Sequence, residues 1–153
     1  MPPTPRQTKK KIRVYLLTIS GLQPADGVVV RSATIAPEEF TDTLVVLGDV
    51  VAPQAQAGLA RRSENVTVTC WVIVTRPGSD ETAIDNAGDD ADAIIALISN
   101  ALAADRTAGG SVPNPGRIDL ATSGLEETPV TWNNNAARRA TIPFSLSWTS
   151  HIT

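Results

Sequence analysis

Two runs of strictly alternating side chains constrain this fold more than any motif does. In "NVTVTCWVIVT" (65–75), Val66, Val68, Cys70, Val72 and Val74 fall on one side, and Thr67, Thr69, Trp71, Ile73 and Thr75 on the other. In "RATIPFSLSWTSHI" (139–152), Ala140, Ile142, Phe144, Leu146 and Trp148 alternate with Thr141, Pro143, Ser145, Ser147 and Thr149. A period of two is that of a β-strand with one buried face. The second face of the first run is polar at one end and apolar at the other, so part of it is expected to be covered. Proline cannot donate to a strand ladder, so Pro143 is expected to place the last strand at a sheet edge or a bulge.

Between these runs the period changes. In "DETAIDNAGDDADAIIALISNAL" (80–102), Ala83, Ala87, Ala91, Ile94, Leu97, Ile98, Ala101 and Leu102 recur at helical spacing, which predicts one broad apolar face. "RPGSD" stops the preceding strand and supplies Ser79 or Asp80 as N-cap. "RTAGGSVPNPG" (106–116) ends the helix in a loop. Upstream, "GVVVRSA" (27–33) and "TDTLVVLGDV" (41–50) read as strands separated by a turn near Pro37, and residues 51–64 as a long connection. Residues 12–22 place Ile12, Leu16, Ile19 and Leu22 on one helical face, although their β-branched content also suits a strand. Helix is preferred. A weaker strand pair is expected around "RIDLAT" and "TPVTW". Strands in runs, without a helix after each one, favour an α+β layer. The expected fold is a twisted, mostly antiparallel sheet of about five to six strands, with a long helix packed on one face and a short N-terminal helix. Residues 1–11 are expected to form a flexible basic arm, and 12–153 a single α+β domain with long loops near 51–64 and 106–116.

Charge is split along the chain. Residues 1–13 carry Arg6, Lys9, Lys10, Lys11 and Arg13 and no acid, whereas the remainder holds eight arginines against sixteen acids. A body this acidic is poorly suited to wrapping nucleic acid, which needs Lys and Arg against phosphate. The "VYLLTISGL" run is short, contains Thr18 and Ser20, and has no Ala-x-Ala after it, so a signal peptide is not expected. No membrane span is expected either.

Residues suited to chemistry are sparse. Cys70 is the single cysteine and His151 the single histidine, which excludes an internal disulfide framework and a cysteine-based zinc site. Cys70 sits on the core side of its strand, where a thiol behaves as a small hydrophobe. Glu81, Asp85, Asp89 and Asp92 share one helical arc opposite the apolar face. Carboxylates at this spacing could hold metal with histidine or acids from a second element, and neither is apparent in the sequence. A solvated face explains them more simply, since acids near a helix N-terminus gain about 0.3–1 kcal/mol each from the dipole. Asp90 points toward the apolar face and needs a partner. Arg61–Arg62 and Arg138–Arg139 read as exposed basic pairs, serving solubility or contact with an acidic partner, including another copy of this chain. No catalytic residue, metal site or cofactor is expected.

The order of these features from Gly48 to Trp148 resembles the tail terminator (tail completion) proteins of long-tailed bacteriophages. The stretches that carry the resemblance are "GDVVAPQ", "RRSENVTVTCWVIVTRPGSD", "AGDDADAIIALISNAL" and "ATIPFSLSW", with Glu64 opening the central strand and the "PGSD" turn opening the helix. The basic N-terminal segment and first helix are least like the family. The resemblance implies a virion protein of the tail–neck region, assembled in the host cytoplasm. It would form a sixfold ring that caps the tail tube, stops tube polymerisation and meets the head-completion or neck proteins. DNA would pass through the ring only as cargo, and the face of Glu81, Asp85, Asp89 and Asp92 could line that channel. Other readings are a head-closure protein, a tail-tube subunit, a carboxylate-dependent hydrolase built on the acidic helix, or a binding domain using Trp132 and Trp148 as a sugar platform.

Overall fold

Both alternating runs become long strands, and they pair with each other. The computed structural model describes residues 4–32, 43–51, 62–112, 117–132 and 134–152. Its elements are α1 (Pro5–Leu16), β1 (Val29–Ser32), β2 (Thr43–Val51), β3 (Arg62–Pro77), α2 (Glu81–Ala104), β4 (Asp119–Thr122), β5 (Glu126–Trp132) and β6 (Asn135–Ile152). The protein is α+β, with a six-stranded, mostly antiparallel sheet ordered β1-β2-β3-β6-β4 and β5 also paired to β6. Among the described residues, no helix is long and apolar enough to cross a membrane.

β3 and β6 run antiparallel in unbroken register from Arg62↔Ile152 to Pro77↔Ala137. Their core face carries Val66, Val68, Cys70, Val72 and Val74 from β3, and Ala140, Ile142, Phe144, Leu146 and Trp148 from β6, all buried. α2 lies over this face with Ala87, Ala91, Ile94, Ile98 and Leu102 in the same core cluster, and α1 adds Ile12 and Leu16. Fully burying a side chain such as Ile98 or Leu146 contributes about 1.5–3 kcal/mol. The alanines let α2 sit close to the sheet. Both described helices lie on one face; on the opposite, open face Leu44 and Thr75 are buried, Trp71 and Ile73 half-buried, and Thr67 and Thr69 exposed.

Four expectations change. First, α1 starts at Pro5 rather than Ile12 and takes up most of the expected flexible arm. Gln7 N–H donates to Thr4 Oγ1 at 3.2 Å and Thr4 N–H to Gln7 Oε1 at 2.9 Å, a capping box with proline at the first helical position. The helix stops at Leu16, and Leu22 reaches the core from beyond its end.

Second, β1 and β2 are parallel, with Val29↔Leu44 and Arg31↔Val46 opposed. A simple turn joins antiparallel strands, and residues 33–42, including Pro37, lie outside the described residues. The connection expected at 51–64 is narrowed by both strands, since β2 runs to Val51 and β3 takes in Ser63 and Glu64. Residues 52–61 lie outside the described residues.

Third, β6 is an interior strand, not an edge. Pro143 is accommodated because β4 and β5 lie end to end along the outer side of β6, opposite residues 144–147 and 135–141. The Pro143 carbonyl accepts from Ser123 N–H at 2.9 Å, so its main-chain polar side faces the break between β4 and β5. The missing N–H falls where the ladder is already interrupted. Fourth, β4 and β5 are not a pair, because each pairs only with β6.

At the start of α2, Gly78 adopts φ +104° in the "PGSD" turn, a left-handed backbone that favours glycine. Its N–H donates to Ala136 O at 3.0 Å. Asp80 then caps the helix, accepting from Ala83 N–H at 3.0 Å. The far end of α2 is tied down by Asp105, whose carboxylate accepts from Thr107 Oγ1 at 2.6 Å, Gly109 N–H at 2.8 Å and Thr107 N–H at 3.1 Å. These bonds, led by the Thr107 hydroxyl, hold the carboxyl below its usual range. The 106–116 loop is therefore an ordered turn as far as Val112, and 113–116 lie outside the described residues.

Candidate functional site

The four acids singled out in the sequence, Glu81, Asp85, Asp89 and Asp92, are all exposed along the outer face of α2. The helix brings them together; among the described residues an acid from another element, Glu127 of β5, comes close, its Oε1 lying against Gly88 of α2. Among the described residues, no three His, Cys, Asp or Glu side chains meet where they could hold a metal ion. Their crowding is tolerable because like-charge pairs at i,i+4 cost only about 0.2–0.5 kcal/mol.

Asp90 differs, and its partner is Arg76 at the end of β3. Arg76 Nε and Nη2 both reach Asp90 Oδ2, at 2.9 Å and 2.8 Å. Arg76 Nη1 also donates to Thr75 O at 3.0 Å and lies 3.4 Å from Thr43 Oγ1. This charge-assisted contact pins the first half of α2 to the sheet. With side-chain exposures of 24% for Arg76 and 48% for Asp90, solvent screening reduces its value. Asp90→Ala is expected to lower stability by about 0.5–1.5 kcal/mol, read from the urea midpoint. Asp85→Ala on the wet face is expected to leave that midpoint in place, and equal losses for the two variants would refute the distinction.

The basic pairs separate. Arg61 lies outside the described residues, and Arg62 is placed only as a backbone partner of Ile152 in the β3–β6 ladder. Arg138 and Arg139 are half-buried rather than exposed, and strand alternation sends them to opposite faces. Arg138 stands opposite Arg76 on the helix side, with its Nε buried and lacking a hydrogen-bond partner. Arg139 stands opposite Thr75 on the open face and donates from Nε to Thr75 Oγ1 at 3.2 Å. The two do not form one contact patch.

Cys70 is buried in the core. Burial pushes its thiol up to about 12, against smaller opposing effects of the Gly48 backbone and the Lys9 charge. The unfolded thiol ionises near 8.5, so the folded chain binds the proton more tightly. This contribution to stability is full below about pH 8.5 and falls as pH rises toward 12. At pH 8 the native thiol is expected to resist a disulfide reagent and to react fully after urea unfolding. Fast labelling of the native protein would contradict this placement.

Trp148 is 4% exposed on the helix side, as the alternation requires, and its indole N–H has no hydrogen-bond partner. Trp132 is half-buried at the β5–β6 hairpin end, opposite Asn135. These two rings cannot form a shared platform.

Arg31, Glu126 and Glu127, which no sequence motif singles out, lie at the sheet borders, and Arg13 from the basic N-terminal run joins them. Arg31 lies within β1, Arg13 of α1 lines the cleft beside it, and Glu126 and Glu127 open β5. The clustering of bases before residue 32 was the available signal. That these bases lie at one border and the glutamates at the other emerges only from the strand order. Comparison of the chain with protein-family models and with curated proteins gave no match.

Proposed function

We propose that this chain is a structural protein of a bacteriophage virion, assembling into a sixfold ring that caps the finished tail tube. The ring ends tube polymerisation and presents a joining surface to the head-completion proteins, with DNA passing through its centre. The observation that carries this reading is the ordered set of features from Gly48 to Trp148. A strand and a connection lead into a long central strand, a glycine turn opens a small-residue helix, and an alternating strand closes the unit. These segments are β2, β3, α2 and β6, the elements that form the middle of the sheet and its main helical cover. The open sheet face and the acidic outer face of α2 are surfaces such an assembly could use, the latter as a channel wall across which DNA slides without binding.

The test is electron microscopy and mass measurement of the purified protein, with and without tail-tube protein. A closed ring with a central hole, which stops tube growth when added, is the expected result. Unlimited polymerisation would indicate a tube subunit, and a monomer indifferent to tube protein would defeat the proposal. An assembled ring with Asp85 and Asp89 on its outside would remove the channel-wall role alone.

A further inference from the structure

The two borders of the sheet differ in charge. At one border, α1 and β1 contain Arg6, Lys9, Lys10, Lys11, Arg13 and Arg31 and no acid. At the other, β4 and β5 contain Asp119, Glu126 and Glu127 and neither Lys nor Arg. The ion pairs among the described residues, Arg76–Asp90 and Arg106–Asp119, involve none of those bases and leave Glu126 and Glu127 unpaired.

Local geometry is more specific than net charge. β1 borders a cleft of about 480 Å³ whose lining includes Arg13, Leu17, Val29 and Arg31. Arg13 approaches from the helix side, and its Nε is buried without a hydrogen-bond partner. Arg31 is exposed on the open face, opposite Val46. The β5 border mirrors this with opposite sign. Glu126 is opposite Thr141 on the open face, and Glu127 opposite Ala140 on the helix face; both are exposed. Half-buried Val29 on β1 and Val130 on β5 also lie toward the open face. β1 runs parallel to β2, and the successive pairings β2–β3, β3–β6 and β5–β6 are all antiparallel. β5 of one copy therefore meets β1 of a like-oriented neighbour antiparallel.

We propose that the β1 border of one copy docks against the β5 border of the next. Arg31 meets Glu126 on the open face and Arg13 meets Glu127 on the helix face. This deepens the ring reading above and rests on it. The contact is heterologous, and such contacts close into rings when the rotation per copy fits. Its charges also oppose the wrong pairings, since β1 on β1 sets arginine against arginine and β5 on β5 sets glutamate against glutamate. Pro129 within β5 has no N–H to give, so side chains rather than a continuous ladder carry the contact.

Sedimentation velocity on the full chain, at low and high salt, tests this with two charge-reversed variants. Arg13→Glu/Arg31→Glu and Glu126→Arg/Glu127→Arg are each expected to lose the ring species at concentrations where the wild type is assembled. Mixed in equal amounts, they regain it, because each supplies the border the other lacks. Circular dichroism checks the fold of each. The exposed glutamate variant decides the matter even if the arginine variant unfolds. A wild-type ring with unaffected assembly in the glutamate variant overturns this inference alone, as does failure of two folded variants to reassemble when mixed. A wild type that stays monomeric overturns the ring reading and this inference together.

Discussion

Phe144→Ala is expected to destabilise the protein by about 3–5 kcal/mol, a large share of the roughly 5–15 kcal/mol that holds a domain folded. Phe144 is 2% exposed in the middle of β6, opposite Cys70 on β3 and Thr122 on β4. Its ring belongs to the cluster that also contains Ile94 and Ile98 of α2. Only 4% of the chain is aromatic, so few other core side chains approach its volume. Deletion removes the transfer energy of the ring and leaves a cavity that two long, register-locked strands cannot easily close. A fall in the urea midpoint with an unchanged slope is the expected readout. A loss below about 1 kcal/mol would mean that the sheet centre collapses around the gap, contrary to the packing described.

Gly48→Ala is expected to cost about 1–3 kcal/mol, toward the upper end, although it adds a single methyl. The β2–β3 register shifts between Leu47 and Val50, and Gly48 sits in that irregularity with the Trp71 ring across it. A Cβ there would press on the Thr69 carbonyl oxygen and lie 2.7 Å from Trp71 Cζ3. The ring could turn aside, but the main chain of a central strand cannot do so cheaply. The double variant Gly48→Ala/Trp71→Ala therefore separates two causes. Continued instability relative to Trp71→Ala identifies the backbone collision, whereas recovery to the Trp71→Ala level in a thermal melt would assign the cost to the ring.

The elements most legible in the sequence were those whose period ran longest. β3, α2 and β6 each repeat one pattern over several turns or pleats, and burial follows that pattern closely, with Thr75 buried on the wet side of β3 and Leu97 and Ala101 only half-buried on the apolar face of α2. The first helix was legible too, because Thr4-Pro5-Arg6-Gln7 has the composition of a capping box, but the run of bases after it suggested a solvated arm. Strand direction is not encoded by alternation, so nothing in "GVVVRSA" distinguished a parallel from an antiparallel neighbour. Pro143 shows the same limit. The rule that proline avoids interior ladders holds for the main-chain positions around it, but satisfying it required a gap between β4 and β5 that periodicity cannot reveal. At the candidate site, the outward direction of the four acids and the inward direction of Asp90 followed from helical geometry. The partner, Arg76, did not, because the ion pair depends on how α2 crosses the sheet. Arg138 and Arg139 were neighbours in sequence and therefore, on a strand, opposites in space.

The pairing of β3 with β6 also affects the order in which the protein can be made. β3 leaves the ribosome well before its partner, and residues 78–134 must be synthesised before β6 begins. Throughout that interval one side of a valine-rich strand has main-chain groups with no native neighbour. Folding of the sheet centre is consequently a late, long-range event of the slow class. A nascent chain interrupted before Asn135 would retain β2, β3 and α2 but lack the strand that joins them to β4 and β5, leaving an adhesive edge exposed.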